Sequence, residues 1–194
     1  MSLKRKMLPI GVENFEKLRR NDMYYVDKTE MISDLIMNHG DANLFTRPRR
    51  FGKTLTMDML KTFFEIGQDA SLFDGLTISS HSDICEKYQN KYPVVFISLK
   101  GATGSTYEKA NSMIKQLVAE EYQRHSYLAD SDILDSIEKD QFNRIRSISL
   151  NEGDLENSLR TLTRLLCKHH NQEVQTIYKY GVACYKKKCK IVKA

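Results

Sequence analysis

The run Arg47-Pro48-Arg49-Arg50-Phe51-Gly52-Lys53-Thr54 constrains this chain more than any other stretch. A short apolar segment, residues 42–46, leads into it, and an amphipathic segment, residues 54–66, leads out. Strand, loop ending Gly-Lys-Thr, then helix is the layout of a phosphate-binding P-loop. A helix N-terminus presents amides without intrahelical partners and a positive dipole end, which together suit a phosphate. In that layout Lys53 reaches the terminal phosphates and the Thr54 hydroxyl holds Mg²⁺. Arg47 stands where the G-x-x-x-x-G-K-[ST] pattern has its first glycine, so the spacing alone matches the pattern incompletely.

The flanks of the loop read as alternating helices and strands. Leu8-Pro9-Ile10-Gly11 opens a lead segment that continues through Phe15 and Leu18 to a polar break at Asn21-Asp22, and Tyr24-Tyr25-Val26 is extended. Asp27 is expected to cap the next helix, with Glu30 three residues later completing a capping-box-like pair. The Asp27-Lys28-Thr29 cluster has a second reading, contact with a ligand. Met31, Ile32, Leu35 and Ile36 recur at helical spacing, and Asn38-His39-Gly40 ends that helix. After the loop, Leu55, Met59 and Phe63 with Leu60 and Phe64 form one wide apolar face, predicting a helix that packs on a sheet and stops at Gly67.

Residues 71–76 form a turn-rich connection, and residues 83–90 are a polar, helix-like piece. Residues 92–99 are continuous, β-branched and apolar, as in a strand buried on both faces. Three further helices are expected: residues 107–122, residues 131–143 built on Ile133, Leu134 and Ile137, and one carrying Leu155, Leu159, Leu162 and Leu166. Residues 146–150 link the last two. Residues 174–178 read as another strand. Strands separated by amphipathic helices predict an α/β fold with a largely parallel sheet.

Charge adds a partner class. The net charge of +5 is concentrated in the loop, at Arg47, Arg49, Arg50 and Lys53, and in a terminal cluster of Lys186, Lys187, Lys188, Lys190 and Lys193. Such patches suit nucleotide phosphates or nucleic acid, so a nucleic-acid-binding module using the loop arginines and the lysine tail is the alternative function. No apolar run reaches the about 18 residues of a membrane span, and no signal core follows the basic start, which points to a cytoplasmic location. Cys85, Cys167, Cys184 and Cys189 are expected as free thiols. Cys167, His170, Cys184 and Cys189 also have a spacing compatible with tetrahedral zinc. His39, His81, His125, His169 and His170 show no catalytic spacing, and Asp130, Asp132, Asp135 and Glu138 read as a solvated face.

Three stretches carry a family resemblance. The first joins Leu8-Pro9-Ile10-Gly11 to Tyr25-Val26-Asp27-Lys28-Thr29. The second is Thr46 through Thr54 with Leu60 and Phe63-Phe64 behind it. The third is Phe73-Asp74-Gly75-Leu76 followed by Tyr92-Pro93-Val94. Over roughly residues 8–170 the chain resembles the AAA-ATPase-like proteins, P-loop NTPases that often precede a PD-(D/E)XK nuclease-like domain. The loop R-P-R-R-F-G-K-T is typical of that family, Arg47 included. The resemblance implies a three-layer P-loop NTPase-like fold, incomplete at the C-terminus, and ATP with Mg²⁺ as cofactors. Arg49, Arg50, Phe51, Gly52, Lys53 and Thr54 would bind the nucleotide, and Thr54 the metal.

The family continues past the helix near His170 into an apolar strand ending Asp-Glu, which supports Mg²⁺ and the attacking water. The corresponding residues here, Glu173-Val-Gln-Thr-Ile-Tyr-Lys-Tyr180, contain no such acidic pair. The expectation is a truncated or frame-shifted member that binds ATP without a complete hydrolytic site, and no catalytic residue is assigned. Its expected parts are a lead segment and helix (1–40), the N-terminal part of the P-loop domain (41–171) and a basic, poorly ordered tail (172–194).

Overall fold

Helix positions follow the apolar spacing, and local side-chain caps at Asn14, Thr106, Asp135 and Asn151 set where four helices begin. The computed structural model describes residues 6–38, 43, 51–101 and 105–179. The expected strand at 42–46 lies outside these residues apart from Asn43, as do Arg47, Arg49, Arg50 and the terminal lysines. Two compact units are present, Met1–Tyr92 and Pro93–Ala194. Among the described residues the architecture is mixed α/β, mostly helical, with a two-stranded parallel sheet.

The first unit contains α1 (Phe15–Arg20), α2 (Glu30–Met37), α3 (Lys53–Phe64) and α4 (Ser82–Tyr88), with 3₁₀ turns at Ala70–Phe73 and Thr77–Ser80. At 6 residues α1 is too short to persist alone. Asn14 caps it by accepting from the Lys17 amide at 2.7 Å, and the Asp58 carboxylate on α3 accepts from the Phe15 amide at 2.6 Å. Its buried residues, Phe15 and Leu18, complete an aromatic core. Phe15 lies 5.0 Å from Phe73 between ring centroids, and Phe63 of α3 lies 5.3 Å from Phe73, nearly edge-on. The apolar face predicted for α3 is therefore real, with Met59, Leu60, Phe63 and Phe64 all buried. Within this unit it is covered by α1 and by aromatic rings. The helix stops at Phe64, before Gly67, because Glu65 pairs with Tyr92 in a parallel bridge and the Ile66 amide donates to the Tyr92 carbonyl.

The second unit is built around β1 (Val94–Ser98) and β2 (Gln175–Lys179), paired in parallel with Val94 opposite Gln175 and Ser98 opposite Lys179. Parallel neighbours require a long crossover. It is supplied by α5 (Tyr107–Arg124), a 3₁₀ turn at Ser126–Asp130, α6 (Ser136–Arg146) and α7 (Glu152–His170). Val95, Ile97, Tyr122, Phe142, Leu162, Leu165 and Leu166 fill the core between them. The Tyr122 hydroxyl donates to the Ser158 carbonyl at 2.7 Å, so this buried ring leaves no polar atom stranded. Both strands read from the sequence, 92–99 and 174–178, are present with slightly shifted ends.

Two expectations are corrected. The helix expected from residue 131 begins only at Ser136, where Asp135 and Glu138 form a true capping box. Ile133 and Ile137, expected inside, are exposed, and the buried face is Leu134 with Phe142 and Ile145. Glu138, expected on a solvated face, is buried and accepts from Arg164 and Lys168 at 2.6 Å each. Those cations lie on α7, far along the chain, so no local pattern exposes the pairing.

Candidate phosphate-binding site at the start of the third helix

Gly52 is the hinge of the site. Its φ of +73° lies in the left-handed region, where a side chain clashes with the following carbonyl. Immediately after it, Lys53 and Thr54 are the first two residues of α3, both half-buried. Helices α1, α5, α6 and α7 are each capped by a side chain, from Asn14, Thr106, Asp135 and Asn151. At the start of α3 the capping residue is glycine, which has no side chain to cap the helix. Intrahelical bonding begins with the Thr56 amide, which donates to the Gly52 carbonyl at 2.9 Å.

A second segment reaches this turn. The Lys28 ammonium donates to the Phe51 carbonyl at 3.0 Å and lies 3.4 Å from where a Cβ on Gly52 would stand. Lys28 is held there by the residues on either side of it. One oxygen of Asp27 accepts from the amide and hydroxyl of Thr29, at 2.8 and 2.7 Å. The other accepts from the amide and hydroxyl of Thr77, at 2.7 and 2.8 Å. Thr29 is fully buried, and its hydroxyl also accepts from the Ile78 amide at 3.1 Å. Desolvation alone would raise the Asp27 carboxyl, but these hydrogen bonds prevail and hold it below the ordinary carboxylate value. Nearby, burial pushes the Tyr25 hydroxyl up to about 12, with the Asp27 charge adding to it.

The expected capping box on α2 is thus corrected. Thr29, in helical conformation, is the N-cap residue and makes no side-chain cap. Asp27 keeps one oxygen on Thr29 and gives the other to the Thr77 turn, some fifty residues away, while Glu30 meets the His81 ring at 3.1 Å.

Of the candidate residues, Phe51, Gly52, Lys53 and Thr54 are brought together at one helix start, with Phe51 exposed. Arg49 and Arg50 lie outside the described residues. So do Cys184 and Cys189, and among the described residues no three metal-ligating side chains converge. Cys167 is buried on α7, and the His170 ring bonds the Tyr127 hydroxyl at 2.9 Å.

A family description, predicted AAA-ATPase, matches residues 9–178. The chain belongs to the AAA-ATPase-like family. The match takes in α1, the Asp27 clamp, α3, the β1–β2 pair and everything between. An uncharacterized protein from the vnfD 5′ region of Azotobacter chroococcum mcd 1 is 40% identical over 100 residues. That stretch is 51% of this chain and 18% of that relative, so the chain spans about a fifth of the relative's length. No solved structure matches the chain.

In this member of the family, β2 stands in the stretch 173–180 and carries Gln175, Thr176 and Ile177 where they are buried, without an acidic pair. Its partner β1 has one backbone amide tied by a side chain. Glu121 is buried and accepts from the Phe96 amide at 2.8 Å and from the Arg124 guanidinium. Its carboxyl is shifted down. Burial opposes that shift, and the hydrogen bonds from His125 and Arg124 outweigh it. Sequence reasoning passed over this acid because nothing near it marks it as buried. The histidine cluster was missed for a similar reason: His125 and His170 converge on Tyr127 from different elements, and His169 bonds Ser131 at 2.8 Å. Burial, then the neighbouring His169 and His125, lower the His170 value. Among the described residues, no helix is long and apolar enough to cross a membrane.

Proposed function

We propose that this chain binds a nucleoside triphosphate, ATP with Mg²⁺, through the loop that ends in Gly52, Lys53 and Thr54. One observation carries the reading: a left-handed glycine, itself the N-cap residue, delivers Lys53 and Thr54 as the opening residues of α3. Amides and dipole at that helix start suit a phosphate chain, the lysine adds charge, and the threonine hydroxyl is a hard oxygen ligand suited to Mg²⁺. Arg49 and Arg50 add cations to the same loop in the sequence. Family membership supports the reading, and with it a three-layer P-loop fold with a largely parallel sheet.

The bound metal would neutralise phosphate charge, and Thr54 is the residue here that would hold it. Residues 173–180 offer no Asp-Glu pair for activating water, so this stretch supports binding rather than turnover. The chain accordingly divides, in this reading, into a lead segment (1–40), a cytoplasmic nucleotide-binding part (41–171) and a basic tail (172–194).

The test is ATP·Mg²⁺ binding by calorimetry for wild type and Lys53→Ala. Loss of one charge-assisted hydrogen bond, about 1.5–3 kcal/mol, corresponds to roughly tenfold or more in affinity. Equal affinity in the two proteins overturns the reading.

A further inference from the structure

We propose that Lys28 is a second phosphate-binding lysine of this site, exchanging its contact with the Phe51 carbonyl for an oxygen of the bound nucleotide's phosphate chain. The inference rests on the phosphate reading of the loop.

Three observations point to it. The first is position: the ammonium lies 3.0 Å from the Phe51 carbonyl oxygen and beside Gly52, the residue directly before Lys53. A cation delivered from a separate segment therefore meets the same turn that starts α3. The second is charge. The adjacent acid, Asp27, has both oxygens engaged by Thr29 and Thr77. Among the described residues no carboxylate forms an ion pair with Lys28. An ammonium has three donors, and a single carbonyl uses one. Among the described residues the ammonium's bonded partner is a neutral carbonyl, so an anion at the turn would meet a positive charge that no ion pair already neutralises.

The third is preorganisation. Lys28 sits at the centre of the Asp27-to-Thr29 turn, its carbonyl accepts from the Met31 amide at 3.2 Å, and Thr29 is buried against Ile78. The segment is thereby pinned to both α2 and the Thr77 turn, so binding loses little backbone freedom there. A carbonyl latch can be made by a neutral donor, so the positive charge of Lys28 is the feature that an anion would use.

That difference supplies the test. Lys28→Gln keeps a neutral donor for the Phe51 carbonyl and removes the charge. ATP·Mg²⁺ affinity of the full chain is measured by calorimetry for wild type, Lys28→Gln and Lys53→Ala, alongside the melting temperature of each protein without nucleotide. The expected result is a loss of roughly tenfold or more for Lys28→Gln with its melting temperature unchanged. Wild-type affinity in Lys28→Gln together with impaired Lys53→Ala overturns the role of Lys28 and leaves the loop reading standing. Wild-type affinity in both overturns the loop reading and this inference with it. Should Lys28→Gln fail to fold, site-resolved lysine acylation of the wild-type chain decides. ATP·Mg²⁺ is expected to protect Lys28 and Lys53 while exposed Lys17 and Lys87 stay reactive, and protection of Lys53 without Lys28 overturns the proposal.

Discussion

Removing the Asp27 carboxylate is expected to loosen the segment that carries Lys28 without unfolding the chain. The carboxylate accepts four hydrogen bonds, two from Thr29 and two from Thr77. Each hydrogen bond to a charged group contributes about 1.5–3 kcal/mol, a nominal sum of about 6–12 kcal/mol. Most of that sum does not survive, because Asp27 and Thr77 are exposed and water replaces the two bonds to Thr77. Thr29 is 0% exposed, so its amide and hydroxyl lose their partner with no water at hand. Two stranded donors at the lower end, about 1–1.5 kcal/mol each, cost about 2–3 kcal/mol. At 1.4 kcal/mol per factor of ten, local opening increases about 30- to 150-fold.

Hydrogen–deuterium exchange read on peptides covering 27–36 and 76–81 measures this directly, since local opening governs exchange there. Asp27→Asn is expected to fall between wild type and Asp27→Ala. It retains an acceptor for Thr29 but presents donors to the Thr77 amide. The pH dependence has a definite sign. The folded carboxyl lies below its ordinary value of 3.8, so its contribution is fully present above that value and is lost as pH falls through the folded one. The difference between wild type and Asp27→Ala should therefore be constant around neutral pH and shrink in acid below the ordinary value. Exchange within about threefold of wild type in both peptides at neutral pH would refute the clamp.

Two further outcomes are expected. Gly52→Ala places a Cβ at φ +73°, costing about 1–2 kcal/mol. The melting temperature should drop and ATP binding should weaken further than the stability loss alone requires, because the turn that starts α3 must shift; an unchanged melting temperature counts against a left-handed residue there. Glu121→Ala removes the buried carboxylate that accepts from the Phe96 amide and the Arg124 guanidinium, while Arg124 keeps its bond to the Val94 carbonyl, at about 1.5–3 kcal/mol for a lost hydrogen bond to a charged group. Urea unfolding should show that loss, and a change under about 1 kcal/mol would mean that water reaches the pair.

What could be read from the residues in order were features with local causes. The continuous β-branched run around Val95 and Ile97 named a buried strand, because such a run has no polar face to give to solvent. The rows of Met59, Leu60, Phe63 and Phe64 named a core-facing helix, and the Gly-Lys-Thr run marked the candidate site at its start. Features that depend on distant partners were misread or passed over. Asp27 had the pattern of a cap, yet it bridges Thr29 and the distant Thr77 instead of closing a capping box with Glu30. Ile133 and Ile137 fit a helical face, yet the helix began later and turned Phe142 and Ile145 inward instead. Glu121, Glu138 and the cluster around Tyr127 gained their roles only when α7 and β1 were brought beside them.

At the candidate site the division is sharpest. The sequence by itself determined the loop, its glycine and its lysine, because a tight turn into a helix is a property of consecutive residues. Only the tertiary structure decided that Lys28 stands at the same turn. A side chain 25 residues upstream of Lys53 arrives there through the Asp27 and Thr29 bonds to the Thr77 turn, a contact with no trace in local pattern.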